Sequence, residues 1–226
     1  MKKADIAILI FLPLVIFLAI FLVELKINYF VSLLLFFGIP SLYLSLKNDE
    51  KIQKVGLFSI LVSIPIAIIF ELVAFGDKGW FVPESIAPYR IFSLIPLEDF
   101  IWMFLVTYTI LIFYESFCNT KFQKSIDNKI KLMIYTLYPL TFLLVALFFI
   151  SPSLLNIPYF YLWAGIILFL IPIILFLLRY PRLFRPFLKT SVFFFYIHLL
   201  FEIVGLKLNH WTFTGDHFIG WVPIWV

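Results

Sequence analysis

An all-α, polytopic membrane helix bundle of about seven transmembrane helices is the fold class this sequence predicts, on three observations. Of the 226 residues, 64% are hydrophobic and 13% charged, and the mean hydropathy is +1.09; no soluble domain needs so much apolar surface. Residues 6–23, 27–46 and 132–178 carry no charge at all. A single span needs only about 20 such residues. The basic residues, finally, gather in alternate breaks between the apolar runs.

The first helix is expected at 5–24. Met1-Lys2-Lys3 resembles the basic start of a signal peptide, but the apolar run is too long and no A-x-A site follows it, so it reads as a retained span. Helices follow near 27–46, 55–75 and 98–118. The uncharged stretch 132–178 is too long for one span, and "SPSLLNIP" at 151–158 supplies the turn chemistry that splits it into 132–152 and 158–178. The last helix is expected at 190–207. Pro13, Pro40, Pro65, Pro139 and Pro172 fall inside apolar runs, which membrane helices tolerate where neighbours satisfy the freed backbone groups.

With these spans, 13 of the 17 Lys and Arg residues fall on the side of the N-terminus, which predicts a cytoplasmic N-terminus in the cell membrane. Eight of the 13 acids fall on the opposite, outer side: Glu24, Glu71, Asp77, Glu84, Glu98, Asp99, Glu202 and Asp216. The basic pI of about 9.1 therefore reflects topology, and no nucleic-acid partner is implied. The single cysteine, Cys118, excludes an internal disulfide.

An internal repeat is visible. "INYF" at 27–30 matches "IPYF" at 157–160, "GIP" at 38–40 matches "LIP" at 170–172, and "ELVAFGDKGW" at 71–80 matches "EIVGLKLNHW" at 202–211. The offsets are 130, 132 and 131 residues. We expect a first four-helix repeat over 1–120 and a second, of three helices, over 121–226. The second is expected to stop before its counterparts of Pro96-Leu97-Glu98-Asp99 and of the helix that follows.

Glu98 and Asp99 head the fourth helix. Acids in a first turn after a proline suit the helix dipole, and Ser93 is a candidate cap. That explains why they are tolerated, not why there are two beside an otherwise uncharged span, where ionisable groups default to function. Glu71 and Glu202 lie late in their helices, nine residues before Trp80 and Trp211, and read either as interfacial acids beneath an aromatic belt or as functional groups. His198 and Glu202 share a helix face, as a proton-handling pair or as a buried hydrogen bond. The first half has Ala67 where His198 stands. His210 and His217 are expected at the surface. Phe92, Phe100, Trp102 and Phe104 crowd one side of the acids, Trp80 and Phe81 the other, and ring faces stabilise cations. There is no G-x-G-x-x-G, P-loop, H-E-x-x-H, G-x-S-x-G or D-x-x-x-D, so neither metal nor cofactor is called for. Acids and aromatics around an apolar cavity suit acid-catalysed chemistry on a hydrocarbon.

"IPLEDFIWMFLVTYTILIFYE" resembles the proline-plus-acid-pair motif of the integral-membrane lycopene cyclases of bacteria, archaea and fungal fusion enzymes. "EIVGLKLNHWTFTGDHFIGWVP" resembles the segment before that motif's second copy. The resemblance implies carotenoid biosynthesis without a cofactor. An acid protonates a terminal double bond of lycopene or a related acyclic carotenoid, the neighbouring double bond closes a six-membered ring, and a base removes a proton. Under this reading Glu98 is the leading donor and Asp99 its partner or the returning base. Glu71 and Glu202 rank second, and Trp80, Trp102, Phe100, Trp211 and His198 contact the substrate. Aromatic walls stabilise the cation and exclude water. Two other readings stand beside it: a non-enzymatic transporter or lipid-binding subunit, and an inactive half-partner in a homo- or hetero-oligomer.

Overall fold

The computed structural model describes residues 3–87, 89–118 and 127–213, with 127–134 as backbone. Asp216, His217 and the end of the second repeat lie outside the described residues. The chain is an all-α bundle, and six of its helices are long and apolar enough to cross a membrane. It is therefore a multi-pass membrane protein. The helices are α1 (Lys3–Leu22), α2 (Tyr29–Leu46), α3 (Ile52–Asp77), α4 (Leu97–Phe117), α5 (Asp127–Ile150), α6 (Phe160–Arg179) and α7 (Phe184–Lys207). In α5 the apolar stretch with described side chains is the shorter Tyr135–Ile150. Helix α7 begins six residues earlier than expected, because Pro186 falls in its first turns, where proline removes no helical hydrogen bond.

Helices α2 and α6 share one departure from α geometry. Each opens with five α-helical residues, passes through a π-helical segment (Leu34–Gly38 and Gly165–Leu170) and resumes as an α-helix at Ile39-Pro40 or Ile171-Pro172. A proline lacks the N–H for its turn and crowds the carbonyl four residues back; a wider turn just ahead of it relieves both. The chain thus uses the same device in both halves.

The ends of α3 and α7 also correspond. Each closes with a left-handed residue, Lys78 (φ 53°) or Asn209 (φ 56°). The next N–H bonds back five residues, from Gly79 to the Ala74 carbonyl and from His210 to the Gly205 carbonyl. The two exits then meet. Phe81 and Thr212, 131 residues apart, exchange two backbone hydrogen bonds of 2.8 Å in an antiparallel bridge. Ring pairs also join the two segments: Tyr29 on α2 meets Phe201 on α7 at 6.4 Å, and Phe70 on α3 meets Phe160 on α6 at 6.4 Å.

Between α3 and α4 the chain forms a small hairpin, β1 (Arg90–Ile91) with β2 (Ile95–Pro96), in the register Arg90↔Pro96 and Ile91↔Ile95. Its turn places Phe92 and Ser93 at positive φ, the geometry of a type I′ turn. Ser93 is therefore a turn residue. The cap position of α4 is Pro96, which brings no side-chain bond.

Candidate functional site

A cavity of about 190 Å³ opens where the two halves meet. Helix α2 contributes Tyr29, α3 contributes Glu71, α4 contributes Asp99 and Trp102, and α7 contributes His198, Phe201 and Glu202. The exits from α3 and α7 close it with Trp80 and Trp211. Four helices and both crossing segments thus converge on one small volume rich in aromatic rings.

The two glutamates are held alike. Trp80 donates its indole N–H to Glu71 at 2.9 Å, and Trp211 donates to Glu202 at 3.1 Å. A carboxylate next to an aromatic wall is costly unless it has a donor, and the indole supplies one. Trp80 also packs over the Tyr161 ring at 4.7 Å, and the Tyr161 hydroxyl bonds the Phe70 carbonyl.

The halves differ around those glutamates. Asp99 is 3% exposed and accepts a 2.9 Å hydrogen bond from the Tyr29 hydroxyl through Oδ1. Its Oδ2 has no donor in the described protein. Glu71 lines the same cavity, and the two carboxyls interact electrostatically. Glu202 has the tryptophan but no such carboxyl neighbour among the described residues.

Glu98 is also buried, at 2% exposure, but it does not line the cavity. It accepts a 2.7 Å bond from the Ser85 hydroxyl and another from the Ile86 backbone N–H. These bonds tie the loop after α3 to the start of α4. Phe100 likewise lies outside the cavity lining. Trp80, Trp102, Trp211 and His198 all lie within it.

Compared with family models, with curated proteins and with solved structures, the chain gives no match.

His198 and Glu202 share the cavity. The carboxyl takes its hydrogen bond from Trp211, and His198 Nδ1 has no partner in the described protein. His210, expected at the surface, is 6% exposed. Its Nε2 lies 2.8 Å from the Ser32 hydroxyl and its ring 5.8 Å from that of Tyr29. Burial pushes its imidazole down to about 4, so it is neutral at pH 7. The burial of His210 has a simple cause: α7 turns back at Asn209 and folds the next residues over α2.

Tyr29, Phe201 and Val82 are site residues the sequence did not single out. Tyr29 lay within the "INYF" match, whose recurrence was the available signal. Phe201 is one phenylalanine among 30, and nothing in its local sequence marks it.

Proposed function

We propose that this chain closes rings on the ends of an acyclic carotenoid such as lycopene, by protonation, cyclisation and deprotonation without redox chemistry. The observation that carries the reading is the convergence of Glu71 and Asp99, whose Oδ2 has no donor among the described residues, on one cavity walled by tryptophans. A pair of adjacent carboxyls holds one proton between them, a suitable store for an acid that must give a proton up and recover it. The donor role then belongs to the Asp99–Glu71 pair, and Glu98 fixes the loop over it. Trp80, Trp102 and Trp211 present ring faces to the developing cation. Glu202, fixed by Trp211, orients the opposite wall. The inner location of the N-terminus, with the cavity near the outer end of α3 and α7, belongs to the same proposal and rests on the basic residues of the loops.

Expression in bacteria that accumulate lycopene, with chromatography of the pigments, tests it. The unaltered chain is expected to convert lycopene to cyclised product. Asp99→Asn and Glu71→Gln are each expected to lower conversion by at least about 100-fold, the scale of a lost general acid. Full conversion by both variants would refute the donor assignment.

A second reading, the half-partner, is favoured by one contrast. Glu202 is held by Trp211 as Glu71 is held by Trp80, but among the described residues no second carboxyl accompanies it as Asp99 accompanies Glu71. On this reading lycopene stays unchanged with the chain alone and is cyclised when a second membrane subunit bearing an acid pair is co-expressed.

A further inference from the structure

Three buried polar atoms of the cavity have no hydrogen-bond partner in the described protein: Asp99 Oδ2, Trp102 Nε1 and His198 Nδ1. They come from two helices. Trp102 follows Asp99 by three residues, about one turn along α4, and its ring lies 6.2 Å from the His198 imidazole on α7. Together they offer one acceptor, one donor and one nitrogen that takes either role with its tautomer. A hydrocarbon in the cavity matches none of them. Each would be desolvated without a partner, which buried polar groups in folded proteins rarely are.

A water molecule, both donor and acceptor, supplies the role that each of them lacks. Buried waters typically make two to four hydrogen bonds to such atoms and need only roughly 10–15 Å³. The cavity, at about 190 Å³, has room for one beside an apolar end group. We propose that Asp99, Trp102 and His198 form a water subsite, and that the chain adds this water across the terminal double bond of its carotenoid in competition with ring closure. The inference rests on the cyclase reading, since it needs the same protonated intermediate.

The step balances without an oxidant or reductant. The Asp99–Glu71 pair gives its proton to the less substituted alkene carbon and leaves a tertiary cation. The water oxygen, aligned by the Trp102 N–H, forms the new C–O bond with a lone pair. The oxonium loses its extra proton to the carboxylate pair, which restores the acid. One alkene and one water give one tertiary alcohol.

The full chain is expressed in lycopene-accumulating bacteria grown with heavy-oxygen water, and the pigments are separated and weighed by mass spectrometry. The expected result is a labelled tertiary alcohol beside the cyclised product. Trp102→Phe and His198→Phe are expected to lower the ratio of alcohol to ring by roughly tenfold each, about the worth of one lost hydrogen bond. The ratio is the readout because a variant that merely folds poorly lowers both products together. Ring product with no labelled alcohol overturns the water subsite and leaves the cyclase reading standing. An unchanged ratio in both variants overturns the assignment of the water to these residues. Neither product, with the protein present in the membrane, overturns the water subsite and cyclisation by this chain alone, and leaves the half-partner reading.

Discussion

Glu98 and Asp99 are neighbours in the chain but point to different surroundings. Successive residues of a helix project about 100° apart, so one carboxyl of the pair turns into the cavity and the other into the loop after α3. Which does which depends on the rotation of α4 against α2 and α3, and no local pattern encodes that. Glu98→Gln keeps an acceptor for Ser85 or Ile86 and is expected to retain ring formation, with stability lowered by about 1–2 kcal/mol. Pigment analysis beside thermal unfolding in detergent separates the two effects. His210 makes a prediction in pH. Its folded value is about 4 against an ordinary value of about 6.5, so below pH 6.5 the unfolded chain binds a proton that the folded chain refuses. Stability therefore falls as pH drops from about 6.5 towards 4. In His210→Gln this part of the acid dependence is expected to disappear, as melting temperatures at pH 7 and pH 5 would reveal.

At the scale of elements, small residues decide which aromatic ring enters the site. A Cβ on Gly205 would meet the Trp211 ring at 2.0 Å, and a Cβ on Gly79 would meet the Tyr161 ring at 2.6 Å. The two glycines are not repeat counterparts: Gly205 corresponds to Ala74, and Gly79 to His210. Each half thus admits its ring through a different gap, Tyr161 beneath Trp80 in one and Trp211 against α7 in the other. Gly205→Ala is expected to drive Trp211 off Glu202, to destabilise the protein by about 1–3 kcal/mol and to reduce conversion of lycopene. Ala74→Gly, its counterpart, is expected to leave the cavity intact. A helical π segment before a proline was likewise invisible as such; "GIP" and "LIP" announced a repeated feature without its geometry.

For the whole molecule, the halves bury their helices unequally. Of the apolar window in α2, 50% of residues are buried inside the chain; in α6 the share is 6%. Helix α2 is covered by α4, whereas α6 turns most of its surface outward, towards lipid or a partner. Orientation is open to labelling. Cys118, the one native cysteine, is buried, so introduced cysteines can be read without background. With an inner N-terminus, Glu84→Cys is expected to react with a membrane-impermeant maleimide added to intact cells, and Asp49→Cys only after lysis. The reverse pattern would invert the topology.

Local composition was sufficient for the class of the protein, its seven helices and the two places where an acid precedes a tryptophan by nine residues. Partition into a bilayer depends on hydropathy summed over about 20 consecutive residues, and that sum is written in the chain itself. The meeting of Glu71 with Asp99, the bond from Tyr29, the burial of His210 and the turn of Glu98 away from the cavity were decided only by tertiary structure. Each depends on how helices distant in sequence cross and rotate against one another, and a hydropathy pattern leaves that rotation open.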